Sequence, residues 1–233
     1  MKLTRVTITG ADDSVDPNDL VPLTREFPWV EWGILVSASN LGRPRFPSAG
    51  WIERFLALDL HARSLHVCGQ FTRELLAGDL LDDTLARWLA AFDRIQLNFH
   101  GEPSRLNVER FAPLAARLAK PMIFQHDGRN DGLTSRAILA GADAYALFDV
   151  SGGAGILPPA WPQPAIPRRQ QGYAGGLGPD SLEAQLPRIA TAAGDLAFWI
   201  DMETRVRSSD DSIFEIAKVR RCLEIAASFV VTR

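Results

Sequence analysis

The chain has 233 residues, 46% of them hydrophobic, with a formal net charge of −3, enough for one large domain with a substantial core. The mild charge and the lack of a basic run argue against nucleic acid as a main partner, and no stretch reaches the roughly 20 apolar residues of a membrane span. Cys68 and Cys222 make no disulfide framework, and residues 1–5 alternate polar and apolar without a signal peptide's apolar run, so a soluble cytoplasmic protein is expected.

Short apolar runs alternate with longer helical patterns from end to end. The first strand is expected over residues 5–9 and ends at Gly10; a helix over 17–27 follows, with Asp16 as its cap. The second strand, 32–36, opens into a loop over 37–47, and Ser48 starts a helix over 49–58. The third strand covers 65–68, and residues 70–92 read as helix broken near Gly78. Strand four spans 94–99 before a helix over 107–118, and strand five spans 121–125 before a short helix over 133–140.

Strand six, 144–148, runs straight into Asp149 and the glycines of Gly152-Gly153-Ala154-Gly155. A proline-rich segment follows, with Pro158, Pro159, Pro162, Pro164 and Pro167, which reads as a stiff cover over the site or an ordered surface loop. Strand seven lies near Tyr173 and leads to Gly175-Gly176-Leu177-Gly178 and a helix over 179–193. Strand eight, 196–200, runs into Asp201, and a last helix over 213–229 places Ile213, Ile216, Val219 and Leu223 on one face.

Eight strand–helix units with buried, non-alternating strands predict a closed parallel (β/α)8 TIM barrel in one domain spanning residues 1–233. The rival, an open doubly wound sheet, carries its glycine-rich turn after the first strand, whereas these glycines follow strands six and seven, where barrels hold phosphate. A carboxylate at a strand's end beside glycines that admit a ligand makes Asp149 the leading catalytic candidate. Gly175, Gly176 and Gly178, just before a helix, form a candidate anion cradle.

Several segments, in order, resemble phosphoribosylanthranilate isomerase, the barrel enzyme of tryptophan synthesis. Thr7-Ile8-Thr9-Gly10 is similar to its Lys-Ile-Cys-Gly, and Arg43-Pro44-Arg45-Phe46 to its Ser-Pro-Arg. Gln96-Leu97-Asn98-Phe99-His100-Gly101 resembles its Gln-Leu-His-Gly with two residues inserted; Leu147-Phe148-Asp149 and Gly152-Gly153-Ala154-Gly155 resemble its Leu-Leu-Asp and Gly-Gly-Thr-Gly. Ala174-Gly175-Gly176-Leu177 matches its Ala-Gly-Gly-Leu, and Asp201 opens a counterpart of its Asp-Val-Ser-Ser-Gly-Val-Glu.

The resemblance implies an Amadori-type acid/base isomerisation of a phosphorylated aminoaldose, with Asp149 as the acid, Thr9 at the position of the basic Cys, and Arg45 facing a substrate carboxylate. It implies that Gln96, His100, Gly152, Gly153, Gly175, Gly176, Gly178, Asp201, Glu203 and Arg205 contact substrate. Two departures stand out. A Thr hydroxyl loses its proton far above neutral pH and cannot act as the base, so the ordinary isomerase activity is not expected. Thr204-Arg205 replaces the Ser-Gly that contacts phosphate, where an Arg could supply bidentate contacts instead.

The residues alone also raise other chemistry. His66, His100 and His126 fall at successive strand ends, and imidazole with carboxylate suits a divalent metal and a metal-dependent lyase or epimerase, although no cofactor is expected on the main reading. His126-Asp127 is a candidate acid/base pair, but neighbours on a strand face opposite ways, so only one of them can enter the barrel. Cys68 could stand in for the missing thiol or be a small buried residue. No lysine is placed for a Schiff base. The expectation is therefore an isomerase-like barrel acting on a small phosphorylated metabolite, as a monomer or homodimer. The alternatives are the metal-dependent enzyme and a barrel that binds a phosphorylated metabolite without turning it over.

Overall fold

The computed structural model describes residues 2–79, 82–99, 107–128, 130 and 132–231. Eight parallel strands close on one another in sequence order: β1 (Leu3–Thr9), β2 (Val30–Val36), β3 (Arg63–Cys68), β4 (Arg94–Asn98), β5 (Met122–His126), β6 (Ala144–Phe148), β7 (Gln171–Ala174) and β8 (Phe198–Met202). The pairing of β8 with β1, Thr7 opposite Asp201 and Ile8 opposite Met202, shuts the barrel and removes every sheet edge.

Around it lie α1 (Leu20–Glu26), α2 (Ala49–Leu56), α3 (Gln70–Ala77), α4 (Asp83–Ala91), α5 (Val108–Leu118), α6 (Leu133–Leu139), α7 (Leu182–Ala193) and α8 (Ile216–Ala227). Local chemistry sets their ends. The Ser48 hydroxyl accepts from Trp51 N–H to start α2, and Asp82 caps α4 by accepting from Leu85 N–H at 2.9 Å. Gly78 ends α3 in the left-handed region at φ 69°, where a side chain would strike the Arg110 backbone. Among the described residues no helix is long and apolar enough to cross a membrane.

The strands' two faces differ in kind. Outward residues such as Val6, Ile8, Trp32, Ile34, Leu65, Val67, Ile95, Leu97, Phe124 and Ile200 are buried against the helices in one continuous apolar shell. Inside the barrel the apolar cluster is small, formed by Ile123, Leu147, Ala174 and Trp199 with Tyr145 against them. Many of the other inward positions are polar and buried, among them Thr7, Thr9, Glu31, Ser64, His66, Arg94, Gln96, Gln125 and Asp201.

Departures from the sequence reading at β8 and α8 bear on the site. β8 begins at Phe198 rather than Leu196 and extends to Met202, so Asp201 lies within the strand and not beyond its end. α8 begins at Ile216, because residues 207–214 fold into a turn closed by Ser208 N–H on Ile213 O at 2.8 Å; Ile213, expected on the buried face, is exposed instead. Between β6 and β7 the chain forms no helix over residues 149–170. Its proline-rich part packs on the outside of the barrel, where the Trp161 ring meets Phe148 and Tyr173 edge-on at 6.0 and 5.9 Å and its N–H reaches Gln185 at 2.9 Å. It takes a helix's place in the outer layer and does not roof the mouth.

Candidate functional site

At the C-terminal ends of the strands a cavity of about 310 Å³ opens to solvent. Three carboxylates face it: Asp149 just after β6, and Asp201 and Glu203 on and after β8. The alternation of β8 explains the last two, since residues two apart share a face, and Met202 between them packs into the outer shell.

Asp201 forms the floor and is buried. Thr9 Oγ1 donates to its Oδ1 at 2.8 Å, and Gln96 Nε2 approaches its Oδ2 at 3.3 Å. Burial pushes its carboxyl up to about 7, with the charges of Glu203 and Asp149 adding to the shift and the two hydrogen bonds opposing it. His66 Nδ1 lies 4.0 Å from Asp201 Oδ2, but burial, with the Arg94 charge adding, holds the imidazole down to about 3. The pair is therefore a neutral ring beside a carboxyl, not an ion pair. Nδ1 faces Gln96 Nε2 at 3.2 Å as its acceptor, which leaves the ring hydrogen on Nε2.

Asp149 is built as an acceptor. Its Oδ1 receives Ser151 N–H at 2.9 Å and Ser151 O–H at 2.7 Å, and its Oδ2 receives Gln125 Nε2 at 3.1 Å. Glu203 is paired with Arg45 at 2.8 Å; burial still raises its carboxyl above the usual range, with Asp149 and Asp211 adding and Arg45 opposing. Arg45 also holds Asp211 at 2.5 Å and Gly153 O at 3.2 Å, and its backbone N–H bonds Asp12 at 2.6 Å. Buried Arg207 joins the same rim, reaching Asp12 at 2.8 Å and Asp211 at 2.7 Å.

Parts of the glycine turns are packed closely by the chain itself. Gly176 has φ 65°, and a Cβ there would lie 2.4 Å from Leu157 N; one at Gly178 would lie 2.3 Å from Arg205 Cβ. A Cβ at Gly155 would meet Thr204 Cβ at 2.8 Å, Thr204 Oγ1 donates to Gly153 O at 2.7 Å, and Arg205 Nε donates to Gly155 O at 3.0 Å. The Gly178 N–H is taken by Ser181 Oγ at 3.1 Å. The absent side chains at Gly155, Gly176 and Gly178 make room for Thr204, for the chain's own segment 156–157 and for Arg205.

The structure thus brings Asp149, Asp201, Glu203, Arg45, Gln96, Arg205 and the glycines Gly152, Gly153, Gly175 and Gly176 onto one cavity. Gly178 lies behind Arg205. Thr9 is fully buried beneath Asp201 and does not line the cavity, so its role is to orient that carboxyl. His126 and Asp127 do not line it either. Gln125 takes the inward position on β5, His126 shares the outward parity of Met122 and Phe124, and Asp127 accepts from Asn130 N–H in the following turn. His66 faces inward below Asp201, and His100 lies outside the described residues. Among the described residues no three His, Cys, Asp or Glu side chains are arranged to hold a metal ion.

Cys68 lines the cavity, but burial, with the Glu203 charge adding, pushes its thiol up to about 12, against a weak bond from Asn98. That is the state of a structural thiol. The sequence reading missed Gln125, Ser151, Asp211 and Asp12. Strand alternation could have found Gln125, because excluding His126 from the interior admits its neighbour.

No protein-family model matches the chain, and no curated protein does. Among solved structures it is similar to the 3-hexulose-6-phosphate synthase of Salmonella typhimurium, at 12% identity and a TM-score of 0.48, over 98% of this chain and 99% of that one.

Proposed function

We propose that this barrel is an acid/base enzyme of isomerase type, acting on a small polar metabolite by moving a proton beside a carbonyl. The observation that carries the reading is the meeting of Asp149, Asp201 and Glu203 on one cavity at the strands' C-terminal mouth, with Asp201 at its buried floor. Two carboxyls in unlike environments divide the work. Asp201, raised to about 7 by burial, holds a proton near working pH and serves as the acid. Asp149, with donors on both oxygens, serves as the base. Asp149 takes the proton from the carbon while Asp201 gives one to the carbonyl oxygen; Asp149 then returns its proton to the former carbonyl carbon as Asp201 recovers one from the adjacent hydroxyl, which becomes the new carbonyl. The order is the reverse of the resemblance, in which Asp149 is the acid.

A cavity of about 310 Å³ fits a small substrate. Asp149, Asp201 and Glu203 outnumber Arg45 and Arg205 in its lining, which favours a substrate without a phosphate group. The rim closed by Arg45, Glu203 and Asp211 favours one second reading, a barrel that binds such a metabolite without turning it over.

Solvent exchange separates them. In D2O, with a panel of aldoses, ketoses, hydroxy acids and keto acids read by NMR, the wild type should place deuterium beside a carbonyl at least about 100-fold faster than Asp201→Asn or Asp149→Asn. Binding without exchange would identify the second reading. No compound exchanging faster with wild type than with either variant would remove the enzymatic one.

A further inference from the structure

The opposite end of the barrel is built for negative charge. A cavity of about 760 Å³ opens there between the strands' N-terminal ends, lined by Arg5, Arg94, Tyr145, Trp29, Thr4 and His61 among others. Arg94 Nη2 and Arg5 Nη1 both bind the one carboxylate of Glu31, at 2.5 and 2.6 Å, and Thr7 also donates to it at 2.8 Å. Two guanidiniums therefore share one buried negative charge. Of the flanking groups, Asp93 lines the cavity and is offset by Arg63 and Lys120 behind it, so the charge at the lining itself is set by Arg5 and Arg94 against Glu31. The nearby Arg169–Asp143 pair, at 3.1 Å beside Tyr145, is neutral in sum.

Hydrogen bonding gives an independent sign of a missing acceptor. Arg94 is buried, its guanidinium lies 4.8 Å over the Trp199 ring, and its Nε has no partner among the described residues. Trp199 Nε1 and Ser64 Oγ, on inward-facing neighbours of Arg94 that pack behind the cavity and do not line it, are also buried and have no partner among the described residues. A guanidinium N–H and an indole N–H can only donate, and a hydroxyl can. Buried donors without acceptors are uncommon in native proteins, and a charged one is costly to leave so.

We propose that this N-terminal mouth is a second binding site, taking a small oxyanion such as a carboxylate, sulfate or phosphate between Arg5 and Arg94. The fork of a guanidinium fits a delocalised oxyanion, and the ring of Trp199 fixes the plane of Arg94 for it. The site is separate from the carboxylate-lined cavity at the other mouth and does not depend on the reading given to that cavity.

The test uses the full chain in titrations of acetate, sulfate and phosphate, each against chloride at matched ionic strength. Melting temperature should rise saturably with at least one oxyanion, and which one tells carboxylate from inorganic ligand. The Trp199 indole N–H resonance, assigned through Trp199→Phe, should shift over the same concentrations. Arg5→Gln should weaken binding about tenfold, the loss of one charged hydrogen bond. Arg94→Gln should do the same where it folds, while Arg45→Gln and Arg205→Gln at the other mouth should leave binding in place. An equal response in all four variants, a still Trp199 resonance, or crystals soaked in whichever oxyanion raises the melting temperature with only water at Arg94 would overturn the proposal.

Discussion

Asp201 gives the sharpest test of how the barrel interior is organised. Its folded carboxyl is at about 7, against 3.8 for the unfolded chain, so the two states bind different numbers of protons between those values. The folded state holds the extra proton, so stability is full below pH 3.8 and falls as pH rises through the window to about 7. At about 1.4 kcal/mol per unit, three units cost about 4 kcal/mol above pH 7. Asp201→Asn removes that cost. The Asn carbonyl still accepts from Thr9, but its amide faces the Gln96 amide, a lost bond of about 1 kcal/mol. The variant should thus be about 1 kcal/mol less stable than wild type at pH 4 and about 3 kcal/mol more stable at pH 8, while losing activity. Urea melts at half-unit steps from pH 4 to 8.5 give the difference curve. A curve flat with pH, or one falling as pH rises, would refute the burial argument and with it the choice of Asp201 as acid.

Other outcomes follow from packing and chemistry. Gly172→Ala should cost about 2 kcal/mol, since a Cβ there would lie 2.4 Å from the Trp199 ring, whereas Gly50→Ala in α2 meets nothing within 4 Å and should gain up to about 1 kcal/mol; chemical denaturation reads both. Cys68 should stay unreactive to thiol reagents at pH 8 in the folded protein and react once unfolded, because its thiol is raised to about 12. The chain should not restore growth to a tryptophan auxotroph lacking phosphoribosylanthranilate isomerase, because Thr9 is buried and spent on Asp201.

The barrel was legible because its strands carry plain apolar runs such as Ile34–Val36 and Ala144–Phe148, with turn residues between them. The inner wall was not. Reading strands from their apolar residues trimmed Val30 and Glu31 from β2 and Arg63 and Ser64 from β3, and so hid the lower layer around Arg94. Asp149 and Asp201 were both visible at strand ends, but the deep burial of Asp201 depends on β8 starting at Phe198, a register that only pairing with β1 and β7 decides. The glycines show a different limit. A glycine records that something approaches closely, and sequence does not say whether that is a ligand or, as at Gly176 and Gly178, another part of the chain.

Two buried groups in contact through Gln96 pull stability in opposite directions, which bears on how any pH midpoint is assigned. Asp201 makes stability fall between pH 3.8 and about 7. His66 is lowered from 6.5 to about 3, so the unfolded chain binds the extra proton in that range and stability rises with pH across it. The slopes have equal size and opposite sign where the windows overlap, so wild-type stability from about pH 4 to 6.5 carries little net contribution from either. Each variant exposes the other group: Asp201→Asn should leave a rise with pH over that range, and His66→Gln should leave a fall. An activity midpoint near 7, ordinarily credited to a histidine, then belongs to the carboxyl, and it should survive His66→Gln and vanish in Asp201→Asn. The same slope in both variants would overturn this division, because each variant keeps only one of the two groups and the two are expected to slope in opposite directions.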